Sequence, residues 1–177
     1  MQKFSSLNGP MVKRITGILY PSDNQDLLDW SVNELAKIWG VPELQSESVP
    51  FDKTNYYDEI DKNLSRKFYC FPGLISAGGL ADWKHQAIEI ESRSRQPVRS
   101  VNIDPGYIDG ARLILASTKD HAHRIYLRDG IYAEVTLRFR FKHWQSFDYT
   151  FPDFQSRCYD KFLSQVRRLW LQEVKES

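Results

Sequence analysis

Leu127-Arg-Asp-Gly-Ile-Tyr-Ala-Glu-Val-Thr-Leu-Arg-Phe-Arg-Phe141 is the stretch on which the fold turns. Ile131, Ala133, Val135, Leu137, Phe139 and Phe141 alternate with Tyr132, Glu134, Thr136, Arg138 and Arg140, the period of a strand with one apolar and one polar face. Asp129-Gly130 marks the turn before it. A two-residue loop would set Arg124 opposite Val135 and Ile125 opposite Glu134, mixing charge with core. A three-residue loop, Arg128-Asp129-Gly130 with Gly130 left-handed, instead sets Leu127 opposite Ile131, Ile125 opposite Ala133 and Arg124 opposite Glu134. An antiparallel hairpin carrying an Arg124–Glu134 pair is therefore predicted.

Outward from the hairpin, Arg99 to Phe141 holds the densest polar chemistry of the chain, with Asp104, Lys119, Asp120, His121, His123, Arg124 and Glu134. Val12 to Tyr20, rich in β-branched and aromatic residues, reads as the first strand. Ser22 with Gln25 predicts a capped helix bearing Leu28, Val32, Leu35 and Ile38, stopped by Gly40 and Pro42. Leu44 to Phe51 and Lys67 to Phe71 are short strands, and the polar segment 52–66 between them is left unassigned. Ser76 caps a second helix with Leu80, Trp83, Ala87 and Ile90 on one face. Val98 to Asp104 is a strand, Asp104-Pro105-Gly106-Tyr107 has the residues of a type II turn, and Arg112 to Thr118 is a buried strand or a short helix. An aromatic loop, Trp144 to Phe151, leads to a C-terminal helix begun by Pro152-Asp153 and carrying Tyr159, Phe162, Val166, Leu169 and Trp170.

The order of these elements predicts one α+β domain with a mixed or antiparallel sheet. Its core would be a ferredoxin-like βαββαβ unit extended by the hairpin and a C-terminal helix. A doubly wound α/β sheet is the alternative.

The 177 residues carry 24 basic and 23 acidic side chains, so the charge balance speaks against a nucleic-acid or membrane-surface partner, which would need a basic excess. Two cysteines, Cys70 and Cys158, exclude a disulfide framework and a four-thiolate zinc site, and both are expected as buried free thiols. No segment approaches a membrane span or a signal peptide, which predicts a cytoplasmic protein.

Gly73-Leu-Ile-Ser-Ala-Gly-Gly-Leu80 has the glycine spacing of a phosphate loop, but Gly79 and Leu80 stand where Lys and Ser or Thr belong, so it reads as a glycine-rich helix entry. His121 and His123 on an extended segment would point to one side, and a carboxylate from Asp104 or Glu134 would complete a metal site. The predicted register turns Glu134 away from His123, so no metal site is assigned. Lys119 and Arg124 with Tyr107, Tyr126 and Tyr132 have the groups that hold a phosphate or carboxylate. Asp104 and Glu134 have those that orient them or act as acid and base. The aromatic run Trp144, Phe147, Tyr149, Phe151 and Phe154 is expected to cover the sheet as core.

Val101-Asn-Ile-Asp-Pro-Gly-Tyr107, Leu115-Ala-Ser-Thr-Lys-Asp120 with His123-Arg-Ile-Tyr-Leu127, Gly130-Ile-Tyr-Ala-Glu-Val-Thr-Leu137 and Phe151-Pro-Asp153 resemble the signature segments of the bacterial family catalogued as domain of unknown function 4416. Gly17-Ile-Leu-Tyr20 and Pro50-Phe-Asp-Lys-Thr-Asn-Tyr-Tyr57 are similar as well, so the resemblance covers nearly the whole chain. It implies no established activity; some members carry a GTP-binding label. Asp52, Tyr57, Asp104, Lys119, Asp120, His123, Arg124, Glu134 and Asp153 match the family pattern, and His121 lies outside it.

Taken together, the residues lead to the expectation of a small anionic ligand, a nucleotide or phosphorylated metabolite, with no cofactor identified. Asp104, His123 and Glu134 are the candidate acid–base groups. Asp52, Tyr57, Tyr107, Lys119, Asp120, Arg124 and Asp153 are the candidate ligand contacts. A noncatalytic interaction module and a metal-dependent hydrolase are the alternatives.

Overall fold

Residues 9–51, 63–94 and 100–177 are described in a computed structural model of the chain. The central strand is β1 (Met11–Pro21), buried along nearly its whole length, with Val12, Ile18 and Tyr20 on one face, Ile15 and Leu19 on the other, and Lys13, Arg14 and Thr16 buried among them. On one side it pairs with β4 (Leu64–Cys70), which in turn pairs with β2 (Leu44–Gln45) and β3 (Val49–Phe51). On the other side it pairs with β6 (Asn102–Ile108), followed by β7 (Arg112–Ser117) and β9 (Ile131–Arg140). The outer edge of β9 is shared by β8 (Arg124–Arg128) along its first half and β10 (His143–Ser146) along its second. A short β5 (Ile75–Ser76) pairs with the start of β1. Every one of these pairings is antiparallel, so the chain is α+β with an open antiparallel sheet, and the doubly wound parallel alternative is excluded among the described residues.

Helices cover both faces. From α1 (Gln25–Trp39) come Leu28, Leu35 and Trp39, and from α2 (Leu80–Arg93) come Leu80, Trp83, Ala87 and Ile90; these pack against Val12, Ile18, Ile103 and Ile131. The opposite face meets α3 (Pro152–Gln155) and α4 (Asp160–Glu176), where Phe154, Tyr159, Phe162, Leu163 and Val166 pack on Ile15, Phe68, Ile108 and Leu137. A fully buried Leu such as Leu28 or Leu35 costs about 2–5 kcal/mol when cut to Ala, so these two contacts alone anchor α1.

Several local expectations change. The N-cap of α1 is Asn24, whose side chain accepts from Leu27 N at 3.1 Å, because the Ser22 hydroxyl is engaged with Ser65 at 2.8 Å. Ile38 is 51% exposed and Trp39 takes its place in the core. Ser76 caps a 3-10 turn, Ala77–Gly79, that runs into α2. Asp104-Pro-Gly-Tyr107 is not a turn; it continues as strand β6. The C-terminal helix is broken in two, with Arg157 at φ 65° between α3 and α4. Cys158 is exposed, while Cys70 is buried.

The hairpin register holds where it matters, with Arg124 opposite Glu134 and Ile125 opposite Ala133. The loop is nevertheless two residues long: Asp129 and Gly130 both have positive φ, as a type I′ turn requires, and an irregularity at Leu127 absorbs the extra residue. Ile125 is 68% exposed, so β8 adds to the sheet as an edge and not as core. A second irregularity sets Leu113 opposite Leu137 but Ile114 opposite Val135, leaving Thr136 as the additional residue of β9. Alternation is reset there: Val135 packs with the α1/α2 cluster and Leu137 with the α4 cluster.

Candidate functional site

The ladder between β6 and β7 spans only Gly106 to Ile108 against Leu113 to Leu115. At Gly106 the strands approach so closely that a Cβ would lie 2.1 Å from the Ile114 carbonyl oxygen, which only glycine tolerates. One residue earlier, Pro105 has no N–H with which to extend the ladder. Beyond it the two strands part, and side chains from α2 take over the backbone groups that β7 no longer meets. The Glu91 carboxylate accepts the Ile103 N–H at 2.6 Å, and Lys84 Nζ donates to the Ile103 carbonyl at 2.7 Å. Lys84 also donates to Asp104 Oδ1 at 3.1 Å, and Asn102 Nδ2 to Asp104 Oδ2 at 2.7 Å, so that carboxylate is held at both oxygens.

The opening between the strands is a polar cleft of about 50 Å³, lined by Arg66, Asp104, Ser117, Arg124, Glu134 and Thr136, with Phe151 and Phe154 at one wall. Glu134 lies at its centre of charge. Its buried carboxylate accepts from Arg124 Nε at 2.8 Å and from Thr136 Oγ1 at 3.2 Å, and it stands 3.1 Å from His123 Nε2. The expectation that Glu134 turns away from His123 is therefore wrong: the loop before β8 bends the ring back over the strand, which strand parity alone does not reveal. Arg124 Nη1 bonds the Ser117 hydroxyl at 2.8 Å and the Lys119 carbonyl at 3.0 Å, while Nη2 has no bond among the described residues.

His123 is also the middle of a stack of rings. Tyr149 lies 4.1 Å from it at 7°, Phe147 stacks on Tyr149 at 5.1 Å and 6°, and His121 stacks on His123 at 5.7 Å and 4°. The Tyr149 hydroxyl donates to the Val135 carbonyl at 2.7 Å, which fixes the stack to β9. Burial, with the charges of Glu134 and Asp148 behind it, pushes the Tyr149 phenol up, so it keeps its proton and its donor role. Of the aromatic run expected to cover the sheet, Trp144 and Phe154 are core, whereas Phe147 and Tyr149 belong to this stack.

Asp104, His123, Arg124 and Glu134 are thus brought together. Asp153 lies behind the wall of the cleft, buried, where its Oδ2 accepts from Arg66 at 2.5 Å and from the Tyr159 hydroxyl at 3.1 Å. Lys119 contributes its backbone carbonyl, and its side chain and that of Asp120 are exposed on the loop beyond. Tyr107 faces the α1/α2 cluster and does not join the site. Asp52 and Tyr57 lie outside the described residues. His121 and His123 stack without a completing carboxylate set, and no group of three metal-ligating side chains occurs among the described residues.

Five contributors escaped the sequence reading: Arg66, Ser117, Thr136, Lys84 and Asn102. Arg66 had a legible signal, since it shares a strand face with Phe68 and Cys70, and a guanidinium at a core-facing position needs a partner. It sits 4.4 Å over the Phe51 ring and 5.6 Å from that of Phe154. Lys84 had none, because a charge on a helix is ordinarily solvated.

A family model described as Domain of unknown function (DUF4416) matches residues 10–170. No curated protein and no solved structure matches the chain. No helix among the described residues is long and apolar enough to cross a membrane.

Proposed function

The chain belongs to the family described as Domain of unknown function (DUF4416), and on that premise we propose that it binds a small oxyanion, the phosphate or carboxylate group of a metabolite, in the cleft where β6 and β7 part. The observation that carries this is the convergence of Arg124, Arg66, Ser117, Thr136 and Glu134 on one opening, with His123 beside it at 3.1 Å from Glu134. A cleft of about 50 Å³ takes one such group, and the remainder of the ligand lies outside it. Arg124 Nη2 and the Ser117 hydroxyl, which accepts from Arg124 and keeps its own proton to donate, direct the oxyanion by charge-assisted bonds. Glu134 orients His123, whose Nδ1 has no bond to the protein among the described residues, so the imidazole is placed to give or take a proton at the bound group. Asp104, held by Lys84 and Asn102, lines the opposite side as a second acid–base group.

The core carrying this cleft is, in our reading, ferredoxin-like. What supports it is the strand order β6-β1-β4-β2, antiparallel throughout, with α1 and α2 on one face. Near-neutral charge and the sparse cysteines favour a cytoplasmic setting.

One observation favours a noncatalytic interaction module instead. Each carboxylate around the cleft already has a cation: Asp104 has Lys84, Glu134 has Arg124, and Asp153 has Arg66. Thermal melting against inorganic phosphate, small carboxylates, phosphorylated sugars and nucleotides separates the two. A ligand at about a hundred times its dissociation constant adds roughly 2.7 kcal/mol. A selective rise in melting temperature that is lost in Ser117→Ala supports the oxyanion reading, and a flat panel supports the module.

A further inference from the structure

On the sheet face that carries α1 and α2, Arg14 is buried without a carboxylate partner among the described residues. Its guanidinium lies 4.6 Å from the Trp39 ring, 5.3 Å from that of Trp83 and 5.8 Å from that of Phe71. Among the described residues its one hydrogen bond is a long one, Nη2 to the Trp39 carbonyl at 3.3 Å, and no ion pair reaches it. The Nε atom is buried with no partner among those residues. Two residues along the same strand, and therefore on the same face, the fully buried Thr16 hydroxyl is likewise without a partner. Trp144 Nε1, in the α3/α4 cluster, and Asp153 Oδ1 are the other buried side-chain atoms without a partner among the described residues, but Arg14 and Thr16 stand two residues apart on one strand face, and two such neighbours point to one missing partner.

We infer that Arg14 and Thr16 hold a small monovalent anion, a carboxylate or halide. Three aromatic rings stand around the guanidinium, all within 5.8 Å of it. Its ring partners supply quadrupole attraction, and the C-terminal carbonyl of α1 supplies a partial negative charge. Neither neutralises a whole charge. A water molecule would satisfy Nε and the hydroxyl but leave the charge as it was; an anion accepts from both and neutralises it. Burial alone already pulls Arg14 down to about 10, with no anionic side chain opposing the shift, yet at neutral pH the guanidinium remains charged. The site is separate from the cleft, whose lining contains neither residue.

Trp39 and Trp83 report on it directly, and no tryptophan lines the cleft. The full chain is titrated with sodium formate and with sodium chloride at constant ionic strength, set by a bulky organic anion, while tryptophan emission and melting temperature are read. The expected result is a saturable emission change with a parallel rise in melting temperature. Thr16→Val keeps the β-branched shape of the strand residue and removes the hydroxyl. It is expected to melt above the wild type without small anions, since an unsatisfied hydroxyl is gone, and to lose the anion response. A wild type indifferent to both anions overturns the inference in favour of a buried water, whether or not the variant folds. An undiminished response in Thr16→Val overturns it as well.

Discussion

The Glu91 carboxylate on α2 accepts the backbone N–H of Ile103 on β6 at 2.6 Å, and in doing so takes the place of a neighbouring strand. With Lys84 on the Ile103 carbonyl, a helix completes the hydrogen bonding of a strand whose partner has turned aside. The cleft exists because this substitution lets β6 and β7 separate without leaving buried backbone groups unsatisfied.

Removing that brace is expected to be severe. Glu91→Ala leaves the Ile103 N–H unpaired and Lys84 short of one carboxylate, a loss of about 3 kcal/mol or more in urea unfolding. Glu91→Gln keeps an acceptor for the N–H and should lose markedly less. Equal losses would mean that the N–H bond is not what matters there.

Glu134 and His123 are expected to separate cleanly. Glu134→Ala strands the Arg124 guanidinium, whose side chain is 9% exposed, and should reduce stability by about 3–5 kcal/mol. His123→Ala forfeits its stacking contacts with Tyr149 and His121 and one hydrogen bond at a half-buried position, about 1–2 kcal/mol, or several degrees of melting temperature. A His123→Ala protein that keeps its fold but loses ligand-dependent stabilisation places the imidazole at the ligand. Retained stabilisation removes it from the site.

Stability should fall on the alkaline side through Cys70. Burial pushes its thiol up to about 12, from 9.0 in the unfolded chain. Above pH 9 the unfolded chain therefore releases a proton that the folded chain keeps, and folding weakens as pH rises, approaching about 1.4 kcal/mol per pH unit for this group. Lys13 acts in the same direction at higher pH: burial pulls it down, but its bonds to Glu173 and Glu43 outweigh that and raise it above 10.5. The stability it contributes is lost as pH rises through the raised value. Urea unfolding at pH 8 and pH 10 should show a shallower decline in Cys70→Ala than in the wild type, and parallel declines would count against the shift.

Gly106→Ala forces a methyl group against the Ile114 carbonyl, where a Cβ would stand at 2.1 Å. Backbone cannot yield as a flexible side chain does, so a loss of about 3 kcal/mol or more in chemical unfolding is expected. A variant as stable as the wild type would show that β6 and β7 can slide apart here without penalty.

How much of this was legible depends on the range of the interaction. Arg124 opposite Glu134 followed from the alternation of the two strands, which is local, although the expected three-residue loop is two residues long and Arg128, not Leu127, stands opposite Ile131; the fully buried α1 residues Leu28 and Leu35 followed from helical spacing. Pro105-Gly106 was misread because the same dipeptide that makes a type II turn also suits a strand that ends one ladder and approaches another. The reset at Thr136 was invisible, since an additional residue in a strand leaves the apolar pattern of Val135 and Leu137 unbroken while reversing which side they face. Lys84 reaches Asp104 from a helix distant in sequence, and nothing in its neighbours indicates where it points, whereas the core-facing position of Arg66 signals a buried partner without naming it.

The rings of His121, His123, Tyr149 and Phe147 link the segment ahead of β8 to the one after β10, two stretches that share no ladder with each other. The four rings act as a non-covalent clasp that holds these two edge segments to each other, riveted to the backbone of β9 through the Tyr149 hydroxyl at Val135.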